Sequence, residues 1–189
     1  APLGFQTGAS SLSGAAKILV QSGVLEEKKA LDIQARAIQD KATFLEILGK
    51  DNKALSLKAA EQLARSFELP LVDILGLDRD QFPSGALDDP KKMGELRAVP
   101  VFVRGTKMFI AVSDPSNVKG LDFYTHKANK RSELLVVEDT QITQLMQALT
   151  HEAEELSNTG GMDDFEIGLD GIPAIGENPE MEVLGDENN

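Results

Sequence analysis

Val99-Pro-Val-Phe-Val-Arg104, Gly105-Thr106, Lys107-Met-Phe-Ile-Ala-Val112 is the stretch that decides the fold. Two runs rich in valine, isoleucine and phenylalanine flank a two-residue break containing glycine, which is the pattern of a β-hairpin. Downstream, Ser113-Asp-Pro-Ser-Asn117 supplies turn residues that end the hairpin and cap a helix predicted over about Val118–Lys130. Glu133-Leu-Leu-Val-Val137 reads as a third strand. Asp139 or Thr140 then caps a last helix carrying Ile142, Leu145, Met146 and Leu149. Upstream, a turn-rich stretch from Gly76 leads to Asp88-Asp89-Pro90, which opens a short helix through Leu96. The order helix, hairpin, helix, strand, helix predicts an α+β unit over residues 76–151.

Further upstream the apolar spacing is helical, and residues 14–75 are predicted to form a small helical N-terminal subdomain. A first helix carries Ala15, Ile18 and Leu19 and stops at Ser22-Gly23. Glu26-Glu27 open a second, which runs to about Gln39 and starts with the charge that a helix N-terminus favours. Phe44, Leu45, Ile47 and Leu48 mark a third. Ser56 is the predicted N-cap of a fourth, with Ala59, Ala60, Leu63, Ala64 and Phe67 at core spacing. That helix must stop before Pro70, because the residue preceding proline avoids the helical region. Leu69 to Ile74 then reads as an extended connector. Residues 1–13, small and rich in serine and glycine, are expected to be a loose lead-in.

Charge is unevenly placed. The 189-residue chain has a net charge of −12, yet residues 152–189 hold twelve acids and neither Lys nor Arg. The remaining nineteen acids face nineteen bases, so the body is neutral. Nucleic-acid binding is disfavoured, since the body has no positive field and the tail repels phosphate. One tyrosine and no tryptophan leave few stacking platforms for single strands. The acidic, glycine-containing stretch 152–189 is expected to be a disordered linker. No run approaches the ~18 apolar residues of a membrane span, and Ala1–Gly14 lacks the basic start of a signal peptide, so the expected location is cytoplasmic.

Reactive constellations are sparse. The chain has no cysteine, which excludes disulfides, thiolate metal sites and thiol nucleophiles. It has no phosphate loop of the form G-x-x-x-x-G-K-[ST], no G-x-S-x-G elbow and no H-E-x-x-H. His126 and His151 are far apart and read as solvated helix residues. Asp88-Asp89, Asp163-Asp164 and Ser113-Asp114-Pro115 read as caps, turns or solvated charge. The expectation is a non-enzymatic module with no catalytic residue, metal or cofactor. On the second helix, Ala30, Ile33 and Ala37 form one stripe, and Leu31, Ala35 and Ile38 form another beside it. Either the bundle wraps this helix on two sides, or part of the arc is a partner surface. The candidate contact residues are Ile18, Leu19, Leu31, Ala35, Ile38 and Phe44.

Leu69-Pro-Leu-Val-Asp-Ile74 resembles the "LPFVDL" junction in the N-terminal domains of type II secretion and type IV pilus assembly ATPases. Val99-Pro-Val-Phe-Val and Phe109-Ile-Ala-Val-Ser-Asp-Pro-Ser-Asn117 are similar to the "IPL…L.VA.SDP.N" signature of the same domains. The resemblance covers roughly residues 12–150 and is to pilus extension motors of the PilB type, an MshEN-like region. It implies that the acidic tail stands where a linker to the catalytic core begins, which would account for the missing phosphate loop. It also implies a role in pilus biogenesis and twitching motility at the cytoplasmic side of the inner membrane, against the motor core and the platform. Members of the family bind cyclic di-GMP through a motif close to [RH]LGxxLVxxGxIxxxxLxxxLxxQ. Leu19-Val20 and Gly23-Val24-Leu25 fall on this pattern, but its Arg-Leu-Gly opening is here Gly14-Ala15-Ala16, and Gln34 and Ala37 replace a later Leu and the closing Gln. A missing arginine removes the fork that pairs with phosphate or stacks on guanine. The implied role is therefore docking of a PilZ-domain adaptor protein, with a cyclic di-GMP sensor as the alternative.

Overall fold

A computed structural model describes Leu12 and residues 14–169, with only the backbone of residues 127 and 160–169. The expected lead-in at 1–13, apart from Leu12, and residues 170–189 of the expected tail lie outside the described residues. The helical part comprises α1 (Gly14–Gln21), α2 (Glu27–Asp40), α3 (Phe44–Asp51) and α4 (Lys53–Ser66). These form because each carries a short apolar stripe. Ala15, Ala16, Leu19, Ala30, Ile33, Leu45, Leu48, Ala59 and Leu63 meet in one core. Thr43 starts α3 with a reciprocal capping box: its side chain accepts from the Glu46 N–H at 3.2 Å, while the Glu46 carboxylate accepts from the Thr43 N–H at 3.1 Å. The cap of α4 is Asn52, which accepts from the Leu55 N–H at 3.1 Å, and not Ser56. Ser56 is a buried interior residue of that helix.

The second part holds α5 (Pro90–Leu96), β1 (Ala98–Arg104), β2 (Lys107–Val112), α6 (Asp122–Ala128), β3 (Arg131–Val136) and α7 (Asp139–Leu169). The α+β class is as the sequence predicts. β1 and β2 pair antiparallel from Ala98↔Val112 to Arg104↔Lys107, and Gly105 takes φ 62° at the first position of the two-residue turn. Pro100 lacks an N–H for the ladder, and the register shifts between Pro100 and Phe102. β3 lies parallel to β2, from Lys107↔Arg131 to Val112↔Val136, with α6 as the crossover. α6 is shorter than predicted at both ends, where Gly120 takes φ 83° and Asn129 takes φ 53°, outside the right-handed helical region.

Residues 14–75 and 76–148, expected to lie in separate subdomains, belong to one compact unit that ends at Ala148, and residues 149–151 fall in a second. The connector Leu69–Ile74 is the reason. Leu71 bridges Val136 in parallel, Val72 N–H donates to the Val136 carbonyl at 2.8 Å, and Val136 N–H donates to the Pro70 carbonyl at 2.8 Å. Ala60 and Ala64 of α4 pack on Val136 of the same strand. A second unit begins at Leu149. There the helical backbone of α7 continues through residues 152–169, where the sequence reading expects an unstructured linker. Glutamate is a good helix former, and His151 and Glu155 pair at 2.9 Å across one turn.

Candidate functional site

α2 presents its two apolar stripes to different environments. Ala30, Ile33 and Ala37 are buried, and the backbone geometry that buries them turns the neighbouring stripe outward. Leu31 is half-buried against the core, Ala35 is exposed, and Ile38 is 74% exposed. Ile18 on α1 and Phe44 on α3 are half-buried. Leu19 is different: it is wholly buried among the helices and therefore sits in the core and not on a contact surface. Arg36, next to Ala35, donates to Asp32 at 3.2 Å and to Asp51 at the end of α3 at 3.1 Å. The hydrogen bond to Arg36 holds the Asp51 carboxyl below its ordinary value, against a smaller opposing effect of burial.

The position where the nucleotide-binding motif carries arginine is Gly14, with φ 58°, and a Cβ there would stand 3.1 Å from the Ser116 hydroxyl. Any side chain at this place is strained. Ala15 and Ala16, which follow, are buried.

Beneath the helical surface lies a polar network that sequence reasoning missed. Arg97, 5% exposed and held at φ 49°, donates to Asp139 at 3.1 and 2.7 Å and to the Thr143 hydroxyl at 2.7 Å. Its other arm stands 3.7 Å from Glu46 of α3. Beside it, the buried Glu138 carboxylate accepts from the Ser56 hydroxyl at 2.7 Å and from the Thr140 N–H at 2.8 Å. Burial pushes the Asp139 carboxyl up, while Arg97 and Ser113 pull it back down. Buried charges need partners, so these groups pin α3 and α4 to the start of α7. The signal was a lone arginine opening an apolar strand and an acidic pair directly after Val136-Val137. Among the described residues no cluster of three or more His, Cys, Asp or Glu could hold a metal ion. No helix among them is long and apolar enough to cross a membrane.

The loop-plus-sheet portion behind this network decides the comparison with known proteins. Residues 67–156 match the MshEN domain family. The MshEN match begins at Phe67, the residue that follows α4, so α1 to α4 all lie outside it. Over 160 residues, 84% of the chain is 31% identical to the type IV pilus assembly ATPase PilB of Pseudomonas aeruginosa. The PilB of Acinetobacter baylyi is 27% identical over 138 residues, 71% of the chain. The chain spans 28% and 23% of the lengths of these relatives. Two solved structures share the fold. One is MshE with cdg, at TM-score 0.50 and 17% identity, covering 73% of this chain and 99% of that one. The other is the N-terminal domain of XpsE, at TM-score 0.52 and 20% identity, covering 72% and 96%. The resemblance to the N-terminal region of type IV pilus assembly ATPases, read from the junction and "SDP.N" segments, agrees with the MshEN match and the two PilB relatives, while the two solved structures share the fold alone.

Proposed function

We propose that this chain is a non-catalytic regulatory and docking module of a type IV pilus assembly motor, whose helical bundle binds a PilZ-domain adaptor. The reading places it in the cytoplasm against the inner-membrane pilus machinery, with its MshEN part turned to the motor core. The observation that supports it is the outward stripe of α2, above all Ile38 at 74% exposure, on a helix whose other stripe already fills the core. A large aliphatic side chain left in water on a well-packed helix costs nothing structurally to cover, and burying it in a partner contributes about 1.5–3 kcal/mol. Isothermal titration of the chain with the pilus system's PilZ protein tests this. Ile38→Glu should abolish the heat while leaving the circular dichroism spectrum unchanged. Ile33→Glu, five residues away and fully buried, should unfold the bundle. Heat that survives Ile38→Glu intact would remove the stripe from the interface.

A second reading, a cyclic di-GMP sensor, is supported by the fold shared with MshE, which was solved with cdg. Against it stand Gly14, Ala15 and Ala16 in place of the motif's Arg-Leu-Gly. Equilibrium dialysis separates the two: micromolar retention of the dinucleotide would favour the sensor.

A further inference from the structure

On the MshEN part, away from α2, the turn at residues 83–89, strands β1 and β2 and helix α6 enclose an open groove of about 480 Å³. Its walls are apolar and aromatic, including Pro100, Met108, Phe123 and Tyr124, and its charged members are Asp88 and Asp89. Among the described side chains, none of those lining it is basic. Asp89 accepts from the Lys92 N–H through one oxygen at 3.0 Å, which leaves its second oxygen available. The Lys92 ammonium stands 3.6 Å from Glu95 and 5.2 Å from the centre of the Phe123 ring. The Tyr124 hydroxyl donates to the Ala98 carbonyl at 3.0 Å, so its proton is not offered to a ligand. Burial first, and the charge of Asp89 second, push that phenol above its ordinary value.

Asp88 and Asp89 are exposed, so their negative charge faces an incoming ligand, repels an anion and favours a cation. The groove thus complements a cation on an apolar stem. We propose that it receives an arginine side chain of a partner polypeptide. Arginine fits better than lysine: its planar guanidinium stacks on an aromatic face and bonds a carboxylate through two parallel N–H groups, while a lysine ammonium is more strongly hydrated. The volume lies within the range of sites that enclose a small ligand.

The test is a ¹H–¹⁵N titration of the full chain with a capped Gly-Arg-Gly peptide. Its citrulline counterpart has the same shape without charge, and a third peptide carries lysine. Saturable shifts at Gly85, Met108 and Tyr124 are expected with arginine, with citrulline at least ~10-fold weaker, as expected for loss of a charge-assisted pair. Asp88→Asn with Asp89→Asn should remove the response. Asparagine still caps α5, so the fold is kept. Absence of shifts at these amides, equal response to citrulline, or a response undiminished in the double variant overturns the proposal. A lysine peptide that binds as tightly overturns the choice of arginine.

Discussion

Arg97→Met and Asp139→Leu cut one buried ion pair from opposite sides, and they should respond differently to pH. The pair is joined at 2.7 and 3.1 Å, and both residues are almost wholly buried, Arg97 at 5% and Asp139 at 3% exposure. Removing either partner of such a pair costs about 3–5 kcal/mol, because the other charge is left uncompensated. With Asp139 gone, Arg97 keeps Thr143 and the more distant Glu46, and its guanidinium cannot give up a proton. With Arg97 gone, the orphan is a carboxylate, which can neutralise. Burial already raises the folded-state value of Asp139 above the ordinary 3.8, and loss of Arg97 raises it further. A group raised in this direction binds its proton more readily folded than unfolded. Its charge therefore penalises folding above the folded value, and the penalty is relieved as pH falls toward the unfolded one. One such proton changes stability by at most about 1.4 kcal/mol per pH unit. Relative to the parent, the Arg97→Met deficit should shrink as pH is lowered from neutrality toward the ordinary carboxylate range, whereas the Asp139→Leu deficit should not. Urea unfolding followed by far-UV circular dichroism reads both. At ~1–3 kcal/mol per M of denaturant, a deficit near 4 kcal/mol lowers the midpoint by on the order of 2 M. Deficits below ~1 kcal/mol, or two deficits that follow pH in parallel, would refute the reasoning.

Two further perturbations probe the same junction. Gly49→Ala would bring a Cβ to 2.6 Å from the Thr140 Cγ2, and Thr140 is held in place through Glu138. The expected loss is about 1–3 kcal/mol, seen as a fall in Tm of several degrees; an unchanged Tm would show that the two helices separate freely. Ser56→Ala removes the 2.7 Å bond to Glu138 and should cost about 1–3 kcal/mol. In a double-mutant cycle with Glu138→Gln, coupling above about 0.5 kcal/mol is expected, and strict additivity would show that the Ser56–Glu138 bond adds nothing to stability.

Local sequence determined the elements of this protein. The hairpin at 98–112 follows from its β-rich runs and from a glycine at the one turn position requiring positive φ; α5 follows from Asp89-Pro90; α2 follows from paired stripes at helical spacing. These signals involve residues within a few positions of each other, so the chain declares them without folding. The stripes also showed that α2 has more apolar surface than one contact needs, but not which stripe faces water. Only packing decided that, placing Ile33 at zero and Ile38 at 74% exposure. Ser56 and Asp139 carried local meanings as helix caps, and Arg97 and Glu138 carried none. Their partners lie 82 positions away for Ser56 and 42 for Arg97, and a pairing across such distances leaves no periodic trace in sequence. The tertiary structure alone joined the helical and α+β halves, because burying those charges requires both halves at once.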